Sequence, residues 1–294
     1  MSYKLNCNLC PKNCNALRTQ NSGKGFCGMG LKPVVARAAP HHWEEPVISG
    51  TNGSGAVFFS GCTLGCVFCQ NHEISTQGFG KALSCTELAQ VFKGLEAQGV
   101  HNINLVSGTH FVPRIIKALE LYRPQIPIVW NSSGYEKSQT INALADYVDI
   151  WLPDFKYALS PAAMKYSGAE DYPKIAQAAI DAMLELSPTP IIENDIMKKG
   201  VIIRHLILPE NTLNSIEVLN IVNKRYKGRA LFSLMAQYTP HGNISAFREL
   251  KRKITRREYD KLCGVLFELG LEGFVQELTA ADEGFIPAFD LSGL

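Results

Sequence analysis

Apolar and polar residues fall in regular blocks along most of this chain. From Gly55 onward, short apolar runs at 55–60, 102–107, 126–131, 148–153, 201–208, 230–235 and 273–278 read as strands. Between most of them lie stretches of helical period, at 84–98, 111–121, 137–145, 173–186, 212–224 and 255–269. Ser84 and Glu87 make an S-x-x-E capping box for the first, and Asn211 or Thr212 is placed to cap the fifth. Such alternation predicts parallel strands joined by right-handed crossovers. No G-x-G-x-x-G follows the first strand, which runs instead into a loop of cysteines. The expected fold is therefore α/β, a full or partial (β/α) barrel with parallel strands, rather than a dinucleotide-binding fold. Chemistry in such barrels sits at the C-terminal strand ends. The informative positions are then 62–69, 107–110, 131–134, 154–156, Pro209 and Gln237-Tyr238.

Residues 1–33 break the rhythm. They are polar and cysteine-rich, and too short for a core of their own, so a small N-terminal metal-stapled cap is expected. The expected division is 1–50 for cap and connector and 51–294 for the barrel. Within the connector, Arg37 and His41-His42-Trp43-Glu44-Glu45 read as a loop packing the cap on the barrel, with the entrance of a site as the alternative.

Composition narrows the function classes. The chain has 294 residues, 46% hydrophobic and 19% charged, enough for a sizeable core. Net charge is +2, and the densest basic stretch, Arg248 to Arg257, is interrupted by Glu249. It reads as a solvated face, and no nucleic-acid partner is expected. No apolar run approaches the roughly 20 residues that span a bilayer, and the first residues lack the apolar segment of a signal peptide. A cytoplasmic protein with no membrane partner is expected. Of nine cysteines, all but Cys85 and Cys263 fall in two tight groups, which favours metal binding over disulfides.

The first group is Cys62-x3-Cys66-x2-Cys69, directly after the 55–60 strand. Three thiolates on one loop hold three corners of a [4Fe–4S] cluster and leave the fourth iron open to an outside ligand. A structural zinc is the competing reading. Its only nearby fourth ligands would be His72 and Cys85, and neither has the usual finger spacing. The second group is Cys7, Cys10, Cys14 and Cys27, spaced C-x2-C-x3-C-x12-C with Pro11 after Cys10. It suits a fully ligated second [4Fe–4S] cluster that relays electrons, or a zinc ion that staples the cap. Both stay open at this point.

The cysteine spacing, the strand before it and Phe68 just ahead of the third cysteine together resemble the radical S-adenosylmethionine superfamily. Further segments extend the likeness over nearly the full length: the cysteine cap, ARAAPHHWEEPVISGTNGSGAVFFSGCTLGCVFCQNHEIS, PDFKY, YSGAEDYP, VIIRHLILP and MAQYTPHG. With these the chain is similar to an uncharacterised branch related to pyruvate formate-lyase activating enzymes. The resemblance implies that Cys62, Cys66 and Cys69 hold the cluster that cleaves S-adenosylmethionine and that Phe68 neighbours the adenine. Asp154-Phe155-Lys156 is similar to the Asp-Leu-Lys element of the activating enzymes. That implies Asp154 near a monovalent cation beside the cofactor, and Lys156 reaching the cofactor carboxylate or a substrate peptide.

One departure is plain. Many members carry Gly-Gly-Glu after the second strand, whereas this strand ends Leu105-Val106-Ser107-Gly108-Thr109-His110. Ser107, Thr109 and backbone carbonyls are then the cofactor contacts, with His110 a further candidate against a structural role. Asn131 and Ser133, after the third strand, are candidates for the ribose or carboxylate, or members of a turn that needs the same residue types. Arg204 and His205 are neighbours in one strand, so one faces the barrel interior and the other a helix. Gln237, Tyr238 and Gln276 end later strands.

The expected function is a radical enzyme that reductively cleaves S-adenosylmethionine to a 5′-deoxyadenosyl radical and abstracts hydrogen. The resemblance implies a glycine of a partner glycyl radical enzyme, or another protein, as its substrate, and a flavodoxin or ferredoxin-type reductant. The alternatives are an iron–sulfur electron-transfer or scaffold protein without radical chemistry, and a zinc-bound interaction module.

Overall fold

The computed structural model describes residues 5–282, 284 and 287–294. Its centre is a ten-stranded sheet. The strands that matter here are β1 (Val34–His41), β2 (Ser54–Phe59), β3 (Ile103–Val106), β4 (Ile128–Ser132), β5 (Ile150–Pro153), β6 (Ile196–Leu206), β7 (Leu231–Met235) and β8 (Gly273–Val275). They lie side by side in chain order. Every pair from β2 to β8 is parallel, and β1 runs antiparallel to β2. The order begins at the short strand Lys81–Ala82 beside β1 and stops at β8 without returning, so the barrel is partial. Ile191–Glu193 adds an antiparallel hairpin arm to β6.

The α-helices of five or more residues are α1 (Cys85–Ala97), α2 (Val112–Leu121), α3 (Ser138–Asn142), α4 (Ser160–Ser167), α5 (Tyr172–Leu186), α6 (Thr212–Arg225) and α7 (Arg256–Leu269). Their buried positions recur at helical spacing, as with Leu88, Ala89, Phe92 and Leu95 on α1. Strands β2 to β5 are buried along their whole length, as parallel strands covered on both faces must be, and this is why they read as unbroken apolar runs. Ser84 forms the expected capping box with Glu87. Thr255 and Glu258 make a second at α7. Asn211 precedes α6 but gives it no side-chain cap, because its amide is held by Tyr166 Oη at 3.1 Å and the Pro209 carbonyl at 2.6 Å.

Strand β1 was not legible as a strand, and it shows that the sheet begins before residue 51. The connector that follows it turns back across the sheet and delivers Glu44 and Glu45 to its interior. Ahead of it the cap has one two-stranded ribbon, Leu5–Asn6 with Leu17–Arg18. It docks on α3 through Thr140 Oγ1 to the Leu9 carbonyl (2.7 Å) and Lys137 Nζ to Asn13 Oδ1 (2.5 Å). The buried Arg18 ties it to the barrel by donating to the His110 carbonyl at 2.6 Å. At the other end of the chain, Leu291 N–H donates to the Ala36 carbonyl and Ala38 N–H to that of Ser292, with Arg37 and Asp290 paired at 2.9 Å. The final residues thus lie along β1. Among the described residues no helix is long and apolar enough to cross a membrane.

Candidate active site at the strand ends

Past β2 the chain enters its cysteine loop through Gly61. This residue has φ +81° in the left-handed region, and a Cβ on it would lie 2.4 Å from Met29 Cγ. The buried Leu64 anchors the loop, and Val67 N–H bonds the Tyr166 carbonyl at 2.9 Å. Phe68 is buried and makes edge contacts with Tyr157, Tyr166 and Tyr238 at 6.2–6.5 Å. Each sulfur of the loop meets a donor. Ser167 Oγ reaches Cys66 Sγ at 3.1 Å, and Ser75 Oγ reaches Cys69 Sγ at 3.4 Å. Leu64 N–H points at Cys62 Sγ, also at 3.4 Å. Burial pushes the Cys69 thiol up to about 12, with Cys62 adding to it, and burial also raises Cys66.

The loop faces a cavity of about 210 Å³ whose wall takes one contribution from each strand end. Val106 and Ser107 come from β3, Asn131 to Ser133 from β4, Asp154 and Lys156 from β5, Arg204 and Leu206 from β6, Met235 and Gln237 from β7, and Gln276 from β8. Trp43, Glu44 and Glu45 reach it from the connector, so that segment lines the site. At Gly134 a Cβ would sit 2.2 Å from the Asp154 carbonyl, so only glycine lets the β4 loop lie this close to β5.

The floor is a network of fixed charge. Arg204 donates from Nε to Asp154 Oδ1 at 3.0 Å, from Nη1 to Glu44 Oε2 at 3.0 Å and from Nη2 to Asn131 Oδ1 at 2.5 Å. Glu44 Oε1 accepts from Asn104 at 3.0 Å and Asn131 at 3.2 Å. Lys156 Nζ donates to Asp154 Oδ2 at 2.7 Å. Burial alone would raise Asp154, but Lys156 and Arg204 outweigh it and hold the carboxyl below its usual range. Burial would lower Lys156, and Asp154 more than offsets that. Glu44 is raised by burial despite Arg204. Both oxygens of Asp154 are therefore taken by side-chain cations.

The predicted residues sort as follows. Ser107, Asn131, Ser133, Asp154, Lys156 and Phe68 line the cavity with the three cysteines. Ser107 does so from φ +61°, an unusual conformation for a residue with a side chain. Thr109 does not line it, and its expected role as a cofactor contact is corrected. It is buried behind the strand ends, and its hydroxyl donates to Glu136 Oε1 at 2.7 Å. Glu136, which the sequence reading missed, also accepts from Trp130 Nε1 (3.0 Å) and Ser132 Oγ (2.6 Å). Its carboxyl is raised by burial and lowered in part by these donors, and it braces the β4 loop from below. The only signal in the sequence was an acid two residues past the strand-end Gly134. Tyr238 is buried against Phe68 with its hydroxyl on the Leu250 carbonyl. Gln276 bonds Gln237 at 2.9 Å.

His110 lies outside the cavity, with Nε2 on the Ser60 carbonyl at 2.8 Å. His205 points away from Arg204 toward α6, with Nδ1 on the Phe155 carbonyl (2.7 Å) and Nε2 on Ser215 Oγ (2.8 Å). Both rings are buried, which lowers each to about 4. The unfolded chain takes up these protons near pH 6.5, so stability is lost as pH falls from about 6.5 toward 4, by up to about 1.4 kcal/mol per pH unit per ring. The urea midpoint at pH 5 is expected below that at pH 7, with a smaller drop in His205→Asn. Equal drops in the two proteins would show that His205 is not a source.

Comparison with known proteins agrees with this geometry. Residues 56–160, from β2 into α4, match the family model of the radical SAM superfamily. The chain carries a radical SAM domain. An uncharacterized protein of Methanocaldococcus jannaschii is 28% identical over 268 residues, covering 87% of this chain and 72% of its own. Among solved structures, methylornithine synthase aligns with a TM-score of 0.54 at 12% identity, over 82% of this chain and 71% of that one. Streptococcus suis SuiB bound to precursor peptide SuiA aligns with a TM-score of 0.50 at 15% identity, over 75% of this chain. The chain spans about half of SuiB, 48% of its length. These two likenesses show the fold, a partial (β/α) barrel.

A radical SAM domain implies a [4Fe–4S] cluster and S-adenosylmethionine, and the loop fits both. Cys62, Cys66 and Cys69 would hold three irons, with hydrogen-bond donors already aimed at the sulfurs, as thiolate ligands require. The cavity beside them offers an ammonium, amides and hydroxyls to a zwitterionic nucleoside. Cys7, Cys10, Cys14 and Cys27 gather in the cap, and none of them lines this cavity.

Proposed function

We propose that the chain cleaves S-adenosylmethionine reductively at a [4Fe–4S] cluster on Cys62, Cys66 and Cys69, and that the 5′-deoxyadenosyl radical takes a hydrogen atom from a glycine of a partner protein. The observation that carries the radical chemistry is the trio of thiols sharing one cavity with the polar ends of the neighbouring parallel strands. When bound, cluster and cofactor supply one electron to the sulfonium and the organic radical that follows from carbon–sulfur cleavage. The chain's own residues bind and orient. Lys156 and Asn131 are donors for a carboxylate, and Ser107 and Ser133 are hydroxyls for an amine or ribose. Arg204, locked by Glu44 and Asp154, fixes the charge of the floor before any ligand arrives. Phe58, Val106, Leu206 and Met235 give the wall an apolar share that keeps water from a reactive radical.

The resemblance to activating enzymes points to glycine as the residue and to a flavodoxin or ferredoxin-type protein as the one-electron donor. The test is anaerobic. Reduced protein given S-adenosylmethionine should release 5′-deoxyadenosine, and a partner purified with it should then show a carbon-centred radical by electron paramagnetic resonance. Iron-loaded protein that forms no 5′-deoxyadenosine would leave only electron transfer. Product without a radical on any protein would move the substrate to a small molecule.

A further inference from the structure

We propose that the face of the cap around Lys12, Lys24 and Phe26 is where an acidic one-electron carrier protein docks to reduce the cluster on Cys62, Cys66 and Cys69. The proposal rests on the radical reading above and adds to it the surface through which the electron enters.

The first argument is access. Of residues 61–70 only Gly65 is exposed, and the others are buried or half-buried. Gly65 has φ +71°, and a Cβ on it would lie 3.1 Å from Phe26 Cζ, so the cap ring rests directly on the backbone of the cysteine loop. The N–H of Gly65 points in turn at Cys62 Sγ, at 3.5 Å. Phe26 itself is 52% exposed, open to a partner on its outer side. A carrier seated on that ring is separated from a cluster-ligand sulfur by one aromatic side chain and one backbone amide, a short path for a single electron.

The second argument is charge. Residues 1–33 hold five of the chain's 29 lysines and arginines and none of its 27 acids, so the rest of the chain is net acidic. Lys24 is exposed, two residues before Phe26. Lys12 Nζ lies 4.3 Å over the Phe26 ring and donates to the Gly168 carbonyl at 3.1 Å, neutral partners that do not cancel its charge. Lys137 reaches the cap from α3 and is likewise held by neutral groups, the Asn8 carbonyl at 3.0 Å and Asn13 Oδ1 at 2.5 Å. Glu170 and Asp171 share a surface hollow with Lys12 and bound the patch on that side. An apolar ring in an acid-free basic segment suits a partner with an acidic face, steered in by charge and anchored on the ring. Redox encounters need only a small interface, so one ring and a few lysines suffice.

The electrons balance with a reduced, acidic ferredoxin-class protein as donor. The donor loses one electron, and the cluster on Cys62, Cys66 and Cys69 gains it, passing from the 2+ to the 1+ core. No bond forms or breaks in this step.

Rapid mixing of the full-length, iron-loaded protein with a reduced acidic ferredoxin tests the surface. At low salt, Lys12→Glu/Lys24→Glu should slow reduction of the cluster by at least about tenfold and weaken ferredoxin binding, measured by titration calorimetry, by a similar factor. Both gaps should close at about 0.5 M salt, where steering is screened. Lys224→Glu makes the same kind of charge change on α6 and should leave both quantities as in the parent. An unchanged rate in the cap variant, or equal slowing in Lys224→Glu, would overturn the proposal. Dithionite is the control, because a small reductant needs no docking face. With it, 5′-deoxyadenosine formation by the cap variant should match the parent, and the radical reading then stands whatever ferredoxin does. A parent that makes none even with dithionite would sink the radical reading and this proposal with it. Should the double variant fail to fold, Lys24→Glu alone decides at its exposed position. Ferredoxin binding weakened by about threefold or more at low salt supports the surface, and unchanged binding removes it. Salt-sensitive binding of an RNA oligonucleotide through Lys12 and Lys24, with no binding of ferredoxin, would assign the face to nucleic acid and overturn the proposal.

Discussion

Cys66→Ala is expected to stop 5′-deoxyadenosine formation, a fall of roughly a thousandfold or more, equivalent to at least about 4 kcal/mol of activation free energy. Cys66 is the middle thiol of the loop, and its loss leaves two ligands where the cluster needs three. The surroundings should tolerate the change. Ser167 Oγ, which donates to Cys66, also pairs with Tyr157 Oη at 2.8 Å, so it is not stranded. The space opened is that of one sulfur atom, in a loop still anchored by Leu64 and by the ring contacts of Phe68. Circular dichroism and the unfolding midpoint should stay close to those of the parent while product disappears. Continued turnover in a folded Cys66→Ala protein would remove the central assignment.

The second large effect concerns stability. Arg204→Met removes the cation shared by Glu44 and Asp154 and strands the carbonyl side of Asn131. Breaking a buried ion pair from one side costs about 3–5 kcal/mol, because the remaining charge stays out of water. Asp154 keeps Lys156, so Glu44 bears most of the loss. Glu44, already raised by burial, should rise further in the variant, and protonation then relieves it. The sign follows directly. A carboxyl whose folded pKa lies above its unfolded one binds more protons when folded, so stability increases as pH falls. The gap in urea midpoint between parent and Arg204→Met should be widest near pH 7 and narrow toward pH 5. A pH-independent gap would mean that the cost is packing alone. Arg204→Lys should recover little, since one ammonium cannot reach three partners in the plane of a guanidinium.

The strands and long helices were legible because each is a local pattern. An unbroken apolar run such as Val57-Phe58-Phe59 needs only its own residues to announce a strand buried on both faces. Strand β1 escaped because Arg37 and Pro40 interrupt Val34–His41, and only its pairing with β2 makes it a strand. Helix α4 escaped because a proline at its start and a run of eight residues leave little period to read. The cysteine loop was legible because its ligands are neighbours in sequence. Glu44 was not, since its partners Asn131 and Arg204 are brought to it only by the order of the sheet. Glu136 likewise carries no motif, and its meaning comes from three donors that converge on it in space.

An open barrel has two rims, and each is a template on which a foreign chain could add a strand. On the β8 side the rim is only three residues long, too short to recruit much. On the other side Lys81–Ala82 pairs with Val34 and Val35 at the start of β1, and the backbone bonds of Leu291 and Ser292 occupy the edge at Ala36 and Ala38, backed by the Arg37–Asp290 pair. The tail thereby acts as a guard against self-association. It denies aggregation a foothold on that edge.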